Sequence, residues 1–227
     1  MKKLIILIFI FIGFSISINA QRSYDLGLWG GGSYYLGDIN TSSHFKKIHP
    51  SVGVFLRYNY NTRTAIRGSL FYGTLSGVDQ SSRYLYQKIR SYSFSTPILD
   101  LTGQFEFNFL PYAIGSDTKN FSPYVSAGLS FLLAANSGNP YQIVVPMGIG
   151  LKFNISEKIG AGIEYSFRKT FSDQIDNLGG IENSVTNHQS HFKQLAYSHD
   201  NDWYAFIGFF ISYNIKIDNF VCRAYDY

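Results

Sequence analysis

Residues 144–172, VVPMGIGLKFNISEKIGAGIEYSFRKTFS, alternate strictly on either side of a short polar turn. Val145, Met147, Ile149, Leu151 and Phe153 share one face, against Pro146, Gly148, Gly150 and Lys152. After the turn at 154–158, Ile159, Ala161, Ile163, Tyr165 and Phe167 share a face, against Gly160, Gly162, Glu164, Ser166 and Arg168. A period of two, closed by a short turn, is the pattern of a β-hairpin with one apolar and one polar or small face. A tilted strand of about ten residues crosses the hydrocarbon core of a bilayer. The charged face would then look into a closed barrel and the aliphatic and aromatic face would meet lipid. This predicts an all-β chain, folded as a transmembrane β-barrel.

The first twenty residues, MKKLIILIFIFIGFSISINA, read as a cleaved secretory signal peptide. Lys2 and Lys3 precede an apolar run at 4–14, and Ile18-Asn19-Ala20 stands before Gln21. The run breaks at Gly13, Ser15 and Ser17, short of the roughly 20 apolar residues of a membrane helix. No cysteine stands at the cleavage point, so a lipoprotein anchor is not expected. Residues 21–227 then form one barrel domain with a short periplasmic tail. Without Lys2 and Lys3, the 19 Lys+Arg fall to 17 against 15 Asp+Glu, which gives no reason to expect nucleic acid. The 18 Tyr and 20 Phe suit a broad outer wall with two interfacial girdles. Cys222, the single cysteine, has no partner for an internal disulfide.

The alternation predicts strands at 24–36, 51–60, 64–74, 94–109 and 123–135, the two arms of the opening hairpin, and 203–215. The total is eight, and an even number lets an antiparallel barrel close without a free edge. With both termini periplasmic in the outer membrane, the external loops are 37–49, 75–93, the turn at Asn136 and 170–199. The periplasmic turns are 61–63, 111–122 and 154–158. Gly30–Gly32 lacks the following Lys-Ser/Thr of a phosphate cradle, so these glycines are expected to make room in a narrow barrel or let the strand coil. A soluble β-sandwich would bury the apolar faces against each other, but it needs neither such long strands nor so many inward charges.

The inward face collects Arg57, Arg67, Asp100, Glu106, Lys152, Glu164 and Arg168. Eight strands enclose only enough room for side chains, and these charges would be costly there unless paired. A structural ion-pair network that seals the barrel is therefore expected; a narrow pore or proton path is the functional alternative. His44, His49, His188, His191 and His199 all fall in predicted loops, and His188 and His191 lack the further ligands of a metal site. Ser190, Ser198, Asp200 and Asp202 near those histidines are the ingredients of a hydrolase, but they are common in any polar loop. Asp173, Asp176 and Glu182 do not match a calcium-loop spacing. No enzyme activity, cofactor, metal or small-molecule substrate is expected.

Three stretches in order carry a resemblance: WGGGSYYLGDIN at 29–40, VPMGIGLKFNISEKIGAGIEYSFRKTFSDQIDNL at 145–178, and NDWYAFIGFFISYNI at 201–215. Together they resemble the PorG-like outer-membrane barrels of the type IX secretion system. The most specific pieces are Gly-Ser-Tyr-Tyr-Leu-Gly-Asp, the run Arg168-Lys169-Thr170-Phe171-Ser172-Asp173, and Asp202-Trp203-Tyr204. The resemblance implies an eight-stranded barrel that partners a periplasmic ring made of a lipoprotein and a soluble subunit, in a machine for protein secretion and gliding. It implies no catalytic residues. Candidate partner-binding positions are those the topology turns to the periplasm: Asn61, Arg63, Lys119, Asn154, Glu157 and Lys158. The rival is a stand-alone structural or adhesive barrel that binds ligands through its external loops.

Overall fold

The computed structural model describes residues 23–36, 45, 47–78, 93–135, 137–171, 175 and 202–216. The expected signal peptide, most of the long loops and the tail with Cys222 lie outside the described residues. Eight strands follow in chain order: β1 (Ser23–Leu36), β2 (His49–Asn59), β3 (Thr64–Val78), β4 (Ser93–Asn108), β5 (Phe121–Ala134), β6 (Tyr141–Asn154), β7 (Ile159–Thr170) and β8 (Trp203–Lys216). Each pairs antiparallel with the next, and β1 pairs with β8, so the sheet closes into a barrel. Closure leaves no unpaired edge, the condition for a sheet to sit in hydrocarbon.

Burial follows the pleat with period two. On β2, Val52, Val54 and Leu56 are exposed while Gly53 and Phe55 between them, and Arg57 after them, are buried. The exposed side is apolar all round the wall, from Leu26 and Leu28 through Ile66, Leu101, Leu129 and Ile149 to Phe209 and Ile211. Aromatic residues bracket it: Tyr24 against Tyr58 at one rim, Phe131 against Tyr141 at the other. An outward apolar band between aromatic girdles, around a polar filling, is the build of a barrel that crosses a bilayer.

The connections at 60–63, 109–120 and 155–158 lie at the mouth that also carries Ser23 and Lys216; the strand ends Leu36, His49, Val78, Ser93, Ala134, Tyr141, Thr170 and Trp203, from which the loops expected to be external leave, lie at the other. At this loop-bearing mouth the strands outrun the sequence reading. β3 continues past Thr74 to Val78, pairing Leu75 with Thr96 and Val78 with Ser93, so 75–78 and Ser93 are wall rather than loop. The reason is an inversion of pattern: Leu75 is fully buried inside while Thr74 and Ser76 carry the outer face. Wall that has left the bilayer no longer needs an apolar exterior, so the alternation that marks a membrane strand fades. His49, expected in a loop, opens β2 opposite Ser33 and hydrogen-bonds Ser76 Oγ at 2.6 Å. Thr170, expected to begin the last loop, closes β7, its N–H and hydroxyl both donating to Asp202 O, at 3.1 and 2.7 Å.

On the outer wall near that mouth, the chain folds back over the strands. Tyr34 of β1 passes over Ala205, its register partner on β8, and its hydroxyl meets that of Tyr165 on β7 at 2.5 Å. Phe45 packs on Tyr34 with ring centroids 5.3 Å apart, and Ile48 covers Gly32.

Of the three successive glycines, Gly31 faces its register partner Gly208. A Cβ at Gly208 would strike both the Gly30–Gly31 backbone and the Trp29 ring, at 2.6 Å from Trp29 Cζ2. Glycine here lets two strands close up beneath an indole that occupies the lumen.

Candidate functional site

Every inward charge named from the sequence is buried in the lumen, and the structure adds one more. Glu106, fully buried, is the hub of the terminus-side layer: Arg57 Nε donates to Oε2 at 2.8 Å and Lys152 Nζ to the same oxygen at 2.5 Å. Arg67 Nε lies 3.1 Å from Oε1 without the alignment of a hydrogen bond. The Arg67 guanidinium instead forks onto Glu164, Nη1 to Oε2 at 2.5 Å and Nη2 to Oε1 at 2.8 Å, the bidentate geometry in which arginine binds a carboxylate best. Tyr124 donates to the same Glu164 at 2.8 Å, and Gln104 Oε1 accepts from Arg67 Nη2 at 2.7 Å.

The added member is Asp25 on β1. It stands 3.5 Å from Arg57 Nη1 and accepts from Asn59 at 2.9 Å and Asn214 at 2.6 Å. Four cations, Arg57, Arg67, Lys152 and Arg168, then face four anions, Asp25, Asp100, Glu106 and Glu164, within the described strands. Balance matters in a low dielectric, where a buried charge without a partner costs several kcal/mol. The alternation Asp25, Gly27, Trp29 does place Asp25 inward, but the glycines on both faces of β1 mask the period.

A second layer, toward the loop-bearing mouth, centres on Asp100. Arg168 Nε donates to it at 2.6 Å and Tyr204 at 2.8 Å, and the hydroxyls of Thr102 and Ser130 also donate to it. The Arg168 guanidinium lies over Phe206 at 4.2 Å and Phe71 at 4.9 Å. Trp29, Phe55, Phe71, Phe206 and Phe210 fill the lumen between and around the charges, Trp29 standing edge-on to Phe71 and Phe206. Of these, Phe55 shares the face of Arg57 in the alternation of β2, whereas Trp29, Phe71, Phe206 and Phe210 went unread, because an aromatic residue in a barrel strand reads first as lipid-facing.

At both mouths described side chains turn into the lumen. At the terminus-bearing end the connection 109–120, overlapping the periplasmic turn expected at 111–122, turns two side chains inward. Tyr112 and Ile114 are buried, 7% and 6% exposed, and Tyr112 donates to Phe153 O at 3.4 Å. Burial pushes the Tyr112 phenol up from its ordinary pKa, so it stays a neutral donor. At the other end Ile175 is fully buried in the core, its N–H donating to Asp202 Oδ2 at 3.0 Å. Tyr35 donates to the same carboxylate, so Asp202, named as a catalytic ingredient, is part of this packing. His44, His188, His191, His199, Ser190, Ser198 and Asp200 lie outside the described residues, as do Asp173, Asp176 and Glu182. Among the described residues no group of three or more His, Cys, Asp or Glu is placed to hold a metal ion.

The six turn positions divide by use. Asn61 Oδ1 accepts from the N–H groups of Arg63 and Thr64, at 2.8 and 2.7 Å, and so builds its own turn. Asn154 Nδ2 donates to Ala113 O at 2.9 Å and Ser116 O at 3.3 Å, tying the inward cap to the β6–β7 turn. Arg63 is exposed and donates to Phe109 O at 2.9 Å. Lys119, Glu157 and Lys158 are exposed, beside the exposed apolar residues Leu110 and Ile155, 47% and 59% accessible.

No curated protein matches the chain in sequence. Among solved structures, Neisserial surface protein A is similar, with a TM-score of 0.51 at 9% identity, over 86% of this chain and 99% of that one. Ail, the attachment invasion locus protein of Yersinia pestis, solved with the heparin analogue sucrose octasulfate, gives 0.45 at 12%, over 86% and 99%. The outer membrane protein OprG of Pseudomonas aeruginosa gives 0.43 at 10%, over 88% and 100%. At 9% identity the likeness to Neisserial surface protein A speaks to the fold alone, which in this chain is an eight-stranded closed barrel. A family model described as a domain of unknown function, DUF6089, matches residues 2–224, and the chain belongs to that family.

Proposed function

We propose that this chain is a non-enzymatic outer-membrane barrel, exported by a cleaved signal peptide, whose terminus-bearing face anchors or positions the periplasmic ring of a type IX secretion machine. The observation that carries the reading is the contrast between lumen and rim. The described lumen is packed with paired charges and aromatic rings, which points to surface recognition as the work for the molecule. The terminus-bearing rim offers Lys119, Glu157 and Lys158 beside Leu110 and Ile155, a mix of apolar centre and charged edge suited to a protein partner. The sequence resemblance supplies the partner, a ring of lipoprotein and soluble subunit.

The test is a pull-down of the tagged barrel from native outer membranes in mild detergent, read by mass spectrometry. The wild type is expected to bring down ring subunits stoichiometrically. A variant carrying Lys119→Glu, Glu157→Lys and Lys158→Glu is expected to lose roughly tenfold in recovery, about 1.4 kcal/mol of association, with export of cargo reduced. Wild-type barrel recovered alone, from an extract in which the ring is intact, would sink the reading and favour a stand-alone barrel.

A further inference from the structure

An apolar groove of about 760 Å³ runs along the outer wall over β1, between β2 and β8. Leu26, Leu28, Val54, Phe209 and Ile211 wall it, and Gly30 is its floor. A Cβ built at Gly30 would meet nothing within 4 Å, although its register partners Val52 and Phe209 both carry side chains. The bare position at Gly30, between the side chains of Val52 and Phe209, deepens the groove there. Its loopward end is stopped by Ile48, which lies over Gly32. Leu28 and Phe209 remain 68% and 66% exposed, so no described part of the chain fills the space.

The groove is continuous with the lipid-facing band, so hydrocarbon must occupy it. Strands lie about 4.8 Å apart, and a slot one side chain wide admits a single polymethylene chain. An α-helix, about 10 Å across with its side chains, is too broad. Leu26 to Gly30 are the fourth to eighth of the fourteen residues of β1, counted from the terminus-bearing rim. The groove therefore opens into the leaflet on that side. Lys158 is exposed at the same rim: it directly precedes Ile159, the register partner of the groove residue Tyr213, and its carbonyl accepts from Asn214 N at 2.8 Å. We infer that the groove is a phospholipid site: it holds one acyl chain from the terminus-side leaflet, with the Lys158 cation at the edge where the headgroup phosphate lies. The inference is independent of any secretion role.

Wild type, Gly30→Leu and Gly68→Leu, purified in detergent and incubated with phosphatidylethanolamine in mixed micelles, are compared by native mass spectrometry. Gly68 is the control: it is exposed on the outer face of β3 and a Cβ there also meets nothing within 4 Å, so the same bulk is added away from the groove. One retained phospholipid per barrel is expected for wild type and Gly68→Leu, and a roughly tenfold loss for Gly30→Leu. Heat-shifted gel mobility reports folding of each variant. Gly30→Ala, one methyl larger than wild type, is expected to lose part of the lipid and serves if the leucine variant does not fold. Equal retention in wild type and the folded Gly30 variants, no lipid on the wild type, or an acylated protein in place of phospholipid would overturn the inference.

Discussion

Glu106 shows how a fully buried carboxylate is made tolerable. It takes three direct hydrogen bonds, two from Arg57 and one from Lys152, and has a third cation, Arg67, at 3.1 Å. Glu106→Gln keeps the shape and removes the charge that all three cations share. Stripping one partner from a buried ionic cluster costs about 3–5 kcal/mol, so the urea midpoint of the detergent-solubilised barrel is expected to fall accordingly. Asp25→Asn is expected to cost clearly less, because Arg57 meets Asp25 only at 3.5 Å and keeps Glu106 at 2.8 Å. Equal midpoints for the two variants would contradict a network centred on Glu106.

Among the elements, the 109–120 connection departs furthest from expectation. A periplasmic turn was expected at 111–122, yet Tyr112 and Ile114 plug the terminus-bearing mouth. Gly115 is the hinge of that fold: its φ of +80° lies in the region L side chains avoid, and a Cβ there would run into Glu157 O. Gly115→Val is expected to cost on the order of 1–3 kcal/mol and to loosen the cap, seen as faster proteolytic cleavage within 109–120. Unchanged cleavage would mean that the turn tolerates the strain. The strands themselves were legible because the bilayer imposes one rule on every wall residue within it. Val52 to Tyr58 and Met147 to Phe153 obey that rule and were readable to within a residue or two. Leu75 to Val78 lie where the rule lapses, and Tyr112 and Ile175 act through tertiary contacts that leave no periodic trace. The charges of the lumen were readable for the same reason as the strands, whereas Phe71, Phe206 and Phe210 were not, since an aromatic ring is at home on either face.

Taken whole, the described barrel is a wall around a lumen filled with side chains. The paired layers around Glu106 and Asp100, with rings between them, leave no continuous water path among the described residues. Reconstituted into planar bilayers, the protein is expected to pass no steady current, and the double variant Tyr112→Ala, Ile114→Ala is expected to stay silent too, because the Arg57–Glu106 layer still blocks the lumen. Reproducible unitary steps from either protein would overturn that picture. The lapping of Phe45 and Ile48 over β1 has a last effect, on the surrounding lipid. On β1 the strand's own bare apolar face runs from Leu26 to Gly30, and the exposed Phe45 and Ile48 carry it on toward the loop-bearing mouth. On β6 the strand alone provides that face, from Tyr141 to Phe153. Acyl chains beside β1 thus meet a ridge of connecting chain laid across the sheet, where those beside β6 meet the pleat itself, so the molecule shows its neighbouring lipids two differently textured sides.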